Sequence, residues 1–100
     1  MEDILITIVN SMEKRLIFVD DYHIIKYLNN AAKEHYLNKG YRDIVGKSIF
    51  SFHEEKTNEK IKMAVRVLEA NNSLPKATIG DTDIFPVRIN NKFCGYYEIF

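Results

Sequence analysis

Two hydrophobic rhythms alternate along the chain, and the points where they switch divide it into elements. In residues 2–13, Ile4, Leu5, Ile8, Val9 and Met12 fall at i, i+1, i+4, i+5 and i+8, one apolar stripe along a helix. Glu2 and Asp3 stand in its first turn and Lys14 and Arg15 just past its end, the signs a helix dipole favours. The β-branched residues leave a strand from Ile4 to Val9 as the competing assignment. Leu16-Ile17-Phe18-Val19 and Ile24-Ile25-Lys26-Tyr27-Leu28 are β-rich runs around the polar Asp20-Asp21-Tyr22-His23, the pattern of a β-hairpin. Asn29-Asn30 offers an N-cap to a short helix carrying Ala31, Ala32, Glu34, His35 and Leu37, stopped by Asn38-Lys39-Gly40. Residues 41–45 have room for one or two helical turns before Gly46.

Ser48 to Glu55 is a connector carrying Ile49, Phe50 and Phe52. Thr57 or Asn58 can cap the next helix, about residues 58–70, whose inner face is Ile61, Ala64, Val65 and Leu68, with Lys60, Lys62, Arg66 and Glu69 mostly outside. The rest is β: strands over 74–79, 83–89 and 92–100, turned at Gly80-Asp81 and Asn90-Asn91. Pro86 cannot donate to a ladder, so it must face an unpaired side or a bulge; Gly95 within a strand implies a bulge or a close approach. The order of helix, two strands, short helices, a longer helix and three strands makes an α+β domain.

Composition narrows the function. One hundred residues, 46% hydrophobic, suffice for one domain with a real core. Fourteen basic residues balance fourteen acidic ones, so no basic field exists for direct nucleic-acid contact. A single cysteine, Cys94, excludes an internal disulfide or a zinc knuckle and reads as a small apolar filler. No apolar run is long enough to span a membrane, and the acidic start lacks the positive segment of a secretory leader, so a cytoplasmic protein is expected. No Gly-rich phosphate loop, Gly-x-Ser-x-Gly or His-Glu-x-x-His is present, and Asp20-Asp21 reads as a turn; the chain is not expected to be an enzyme. His53, Glu54 and Glu55 are adjacent and their side chains diverge, so no metal site is expected.

Five short words in order resemble the PAS family. Ile8-Val9-Asn10-Ser11-Met12 is similar to its lead-in helix, and Leu16-Ile17-Phe18-Val19-Asp20 to its first strand with the terminal Asp. Ile25-Lys26-Tyr27-Leu28-Asn29, then Ala31-Ala32, resembles its second strand, Asn and following helix. Asp43-Ile44-Val45-Gly46-Lys47-Ser48 resembles the family's "eliGks" turn, and Gly95 a glycine common in the last strand. The resemblance covers nearly the whole chain. It implies a five-stranded antiparallel sheet with helices on one face and an N-terminal amphipathic helix, residues 1–14 forming a dimerisation helix and 15–100 the PAS core.

It further implies a bacterial sensor or dimerisation module: the input domain of a transcriptional regulator, or of a histidine kinase, or a ligand-free dimerisation module. The last residues still read as strand, so an effector domain in the same polypeptide is expected. A homodimer would form through Ile4, Leu5, Ile8, Val9 and Met12. The space between sheet and helices would be lined by Phe18, Tyr27, Tyr36, Phe50, His53, Ile61, Val65, Phe85 and Tyr97, which either fill it or surround a small-molecule ligand. The Asn-Cys-Arg word of the flavin-binding light sensors is missing. His53 is the one plausible axial ligand for haem, and we expect no haem and no required cofactor. His23 is expected to be solvated in the hairpin turn, and His35 to act as a structural polar group.

Overall fold

The computed structural model describes residues 2–100, with side chains from Asp3 onward. Met1 and the side chain of Glu2, which was expected to favour the helix dipole, lie outside the described residues. In chain order the elements are α1 (Glu2–Ser11), β1 (Leu16–Asp20), β2 (Ile25–Leu28), α2 (Asn30–Asn38), a 3-10 helix (Ile49–Phe52), α3 (Glu55–Ala70), β3 (Ala77–Ile79), β4 (Thr82–Ile89) and β5 (Lys92–Ile99). The strands form one sheet in the order β2-β1-β5-β4-β3, every neighbouring pair antiparallel. β5, last in sequence, is thus central in space, and the connection through α2, the 3-10 helix and α3 carries the chain from one sheet edge to the other.

Strand geometry sends successive side chains to opposite faces. Ile17, Val19, Ile25, Leu28, Ile84 and Tyr96 take the inner face and pack into one core with Ala32 and Tyr36 of α2, Ile49 of the 3-10 helix, and Ile61, Val65 and Leu68 of α3. The expected inner face of the long helix is therefore observed, with Ala64 partly buried beside it.

Local polar bonds fix the joints. Asn29, fully buried, uses its whole amide: Oδ1 accepts from Leu16 N and Ala32 N, both at 3.0 Å, while Nδ2 donates to Val9 O at 3.0 Å and Lys14 O at 2.9 Å. One side chain thus caps α2 and ties it to the start of β1 and the end of α1. Asp20 shapes the hairpin turn, its Oδ1 accepting from Tyr22 N and Ile24 N. Around Gly46-Lys47-Ser48, Gly46 N donates to Ile25 O and Ile25 N to Lys47 O, which covers the free edge of β2. Asn90 and Asn91 both take positive φ (52° and 63°), as a two-residue hairpin turn between β4 and β5 requires.

Gly95 pairs with Asp20 on one side and Val87 on the other, next to a register shift at Val87/Arg88. A Cβ there would collide with the Val19 carbonyl oxygen and lie 3.0 Å from Asp20 Cα. The close approach and the irregularity both exist. Pro86 pairs with Tyr96 on β5, while β3 stops at Ala77 opposite Ile84, so the missing N–H falls where no β3 partner stands.

Several expected boundaries change. Residues 41–44 form no helical turn, and β3 begins at Ala77 rather than at 74. α3 starts at Glu55 behind Glu54, so neither Thr57 nor Asn58 caps it. Instead Asn58 Nδ2 donates to Phe50 O at 3.0 Å, pinning the 3-10 helix to the first turn of α3. At the other end of α3, the Arg88 guanidinium donates to Leu68 O, a carbonyl that the helix terminus leaves free, and to Asn71 O and Leu74 O in the segment that follows.

Candidate sensory interior and association surface

The nine residues expected to line the interior divide between the two faces of the sheet. Tyr36, Phe50, His53, Ile61 and Val65 lie on the helical side. Phe18, Tyr27, Phe85 and Tyr97 do not: Phe18 pairs with Tyr27 and Tyr97, and Tyr97 with Phe85, in a row out of phase with the buried Ile17, Ile84, Tyr96 and Glu98. This row runs across β2, β1, β5 and β4 on the outer face. Phe85 and Tyr97 stack there, ring centres 4.9 Å apart and planes 12° from parallel. The expectation failed because both faces of these strands are apolar, so no period-2 pattern marked the inner one.

The same register brings an unexpected residue inside. Glu98 lies between Ile17 on β1 and Ile84 on β4, is 4% exposed, and its Oε2 has no hydrogen-bond partner. Burial alone pushes its carboxyl up to about 7. Tyr36 on α2 and Tyr96 on β5 both lie within reach of its charge, and burial raises both phenols. The sequence signal was parity: once Tyr96 is assigned to the core, Glu98 follows it.

His23 is half-buried and bonded rather than free in solvent. It takes positive φ, its Nδ1 is hydrogen-bonded to Tyr96 Oη at 2.8 Å, and its ring lies 4.7 Å from that of Phe50. Burial lowers its pKa, partly opposed by Asp20. His35 is structural, as expected: its Nδ1 accepts from Arg15 Nη1 at 2.9 Å and its ring meets Phe100 edge-on. Burial and the Arg15 charge hold it neutral below the usual histidine range. His53 follows the 3-10 helix and donates from Nδ1 to Ile49 O at 3.0 Å. Among the described residues no group of three or more His, Cys, Asp and Glu is placed to hold a metal.

On α1, Ile4, Leu5 and Ile8 of the expected association stripe are 60%, 57% and 55% exposed, while Val9 and Met12, the latter just past the helix end, are half-buried. The helix is held at its C-terminal end, by Asn29 Nδ2 on Val9 O and by the Tyr27 hydroxyl donating to Asn10 Oδ1 at 2.7 Å. Tyr27 thereby joins α1 to the outer aromatic row.

Clefts open on the surface among the described residues. One lies between α2 and residues 41–45, about 500 Å³, walled by Leu28, Lys33, Tyr36, Tyr41 and Arg42. A second lies between α2 and the α1–β1 junction, with Arg15, His35 and Phe100, and a third on the flank of α3 beside β3, with Met63, Val67 and Ile79. His53 lines none of these three. No described helix is long and apolar enough to cross a membrane.

A family profile described as PAS domain matches residues 5–100. No curated protein sequence matches. Among solved structures, the chain is similar to a C-terminal domain from Streptococcus mutans (TM-score 0.77, 19% identity, covering 98% of this chain and 81% of that one). It is equally similar to a PAS domain from Colwellia psychrerythraea (TM-score 0.77, 17% identity, 98% and 92% covered). A more distant neighbour is the Aer2 receptor of Vibrio cholerae, described as a dual PAS-heme oxygen sensor (TM-score 0.53, 22% identity, 86% and 90% covered). At these identities the likeness is one of fold.

Proposed function

Because the chain belongs to the PAS domain family, whose profile spans residues 5–100, we propose that it is a sensory input module whose output is self-association through α1. The observation that carries this is the uncovered apolar stripe of Ile4, Leu5 and Ile8 on a helix anchored only near its end. A ten-residue helix is marginal alone in water and needs a surface to pack on. The outer aromatic row, which Tyr27 connects to α1, extends that surface. A second copy suits both patches, since each is apolar and the Tyr27–Asn10 bond joins them.

In this reading the module is cytoplasmic and non-catalytic, and belongs to a transcriptional regulator whose effector lies elsewhere in the polypeptide. A histidine kinase is the alternative setting. Ile17, Val19, Ile49, Leu68, Ile84 and Tyr96 are all fully buried, and this supports an interior filled by side chains over one holding a large ligand.

The same filling argues against haem. A ligating histidine needs an apolar cavity wide enough for the macrocycle, and the core residues around the 3-10 helix occupy that space. The residues present do not fit the group. Added haemin should give no sharp Soret band that is lost in His53→Ala.

Light scattering of the intact chain and of Ile4→Glu/Ile8→Glu tests the association. These side chains are exposed in the monomer, so the variant should fold. We expect a dimer for the former and a monomer for the latter at high micromolar concentration. A monomeric intact chain, or a variant that still dimerises, overturns the reading.

A further inference from the structure

We propose that Glu98 is a proton-binding site through which the domain reads pH, its ionisation loosening the seam that holds the start of β1 and, through it, α1. The inference rests on the sensory reading above and names the signal. A carboxyl on the central strand, between Ile17 and Ile84, with one oxygen buried and unpartnered, is stable only while neutral. No packing requirement explains it, since an apolar residue of similar size would fill the place without an orphan oxygen.

Among the described residues no cation offsets the charge. The titratable groups that face Glu98 are Tyr36 from α2 and Tyr96 from β5, both held protonated by burial. His23 is bonded to the Tyr96 hydroxyl, and Asp20 acts on that same phenol. β1 and β4 present Ile17 and Ile84, and the buried residues of α3 are Asn58, Ile61, Val65 and Leu68, none titratable. The charge of Arg15 reaches Tyr36 but does not offset burial at Glu98.

Arg15 is also the seam. Its backbone N and O exchange hydrogen bonds with Phe100, both at 3.1 Å, its Nε donates to Phe100 O, and its Nη1 to His35 on α2. It stands between the end of α1 and the start of β1, and Phe100 is two residues from Glu98. A carboxylate at Glu98 draws water in beside β5, two residues from Phe100, and this loosens the Arg15–Phe100 bonds at the base of α1.

The sign follows from the folded carboxyl lying near 7 against an unfolded value near 4.5. Stability from this group is fully present below about pH 4.5 and is lost as pH rises through about 7.

The test is a residue-specific NMR titration of the Glu98 carboxyl carbon in the whole chain, from pH 4 to 9, with denaturant unfolding of wild type and Glu98→Gln at pH 5 and pH 8. We expect a Glu98 midpoint near 7, with the Arg15, His35 and Phe100 amides following it. The wild-type unfolding constant should rise on the order of 100-fold from pH 5 to 8 relative to the glutamine variant. His23 and His35 titrate in both proteins, so the difference isolates Glu98. A midpoint in the ordinary carboxylate range, or the same pH profile in both proteins, overturns the proposal, and the wild-type titration decides even if the variant does not fold. Association measured at pH 5 is read separately: a monomer with Glu98 titrating near 7 removes the α1 reading and keeps the proton site, and a dimer with an ordinary Glu98 does the reverse.

Discussion

The two faces of the sheet are built from the same strands with different consequences. On β5, Tyr96 and Glu98 point into the helical layer and are nearly inaccessible, while Tyr97 between them joins an outer row of half-buried aromatics. The inner face is closed by α2, the 3-10 helix and α3, so a change there alters the stability of the fold. The outer row is tied to the end of α1 through Tyr27 and is half-buried, so a change there should alter association and leave the monomer intact. One strand carries both, which places the buried carboxyl within two residues of the seam at the base of α1.

Substitutions can break this comparison. The largest effect is expected at Val65, which is 3% exposed on the inner side of α3. Val65→Asp buries an unpaired charge and should cost at least about 4 kcal/mol, leaving little folded protein, while the exposed Arg66→Asp should stay within about 0.5 kcal/mol. Thermal melts of the pair check this, and equal melting points would contradict the packing of α3. Next comes Asn29→Ala. It removes the N-cap of α2 and leaves Leu16 N, Val9 O and Lys14 O without their partner, at a cost of about 3 kcal/mol by urea titration. A loss below about 1 kcal/mol would mean that water replaces the amide.

The smallest effect on folding is expected on the other face. Phe85→Ser removes a stacked ring from the outer row and should lower monomer stability by only about 1 kcal/mol, yet weaken self-association at least tenfold in sedimentation experiments. A large stability loss with unchanged association would place Phe85 functionally with the core.

Where a single face met a single environment, the sequence was legible. The stripe of Ile61, Ala64, Val65 and Leu68 identified the inner side of α3, because its other positions are mostly charged. Asn90-Asn91 announced its turn, because few residues accept positive φ twice in succession. Gly95 announced a close approach, and Val19 O occupies the place of its Cβ.

Strand parity, the seat of His23 and the role of Glu98 were not legible. Leu16-Ile17-Phe18-Val19 and Gly95-Tyr96-Tyr97 are apolar at both parities, and the large rings of Phe18, Tyr27, Phe85 and Tyr97 went to the outer face. Only pairing with neighbouring strands, which joins residues up to about eighty positions apart, settles which side of a strand meets the helices. His23 reads as a turn residue until Tyr96 arrives from the far end of the chain. Glu98 reads as one more surface acid until β1 and β4 close on either side of it and exclude water from its carboxyl. Local pattern determined the elements and their turns, since those depend on nearest neighbours. The partition of the side chains between a closed interior and an open face depended on contacts that exist only once the sheet has formed.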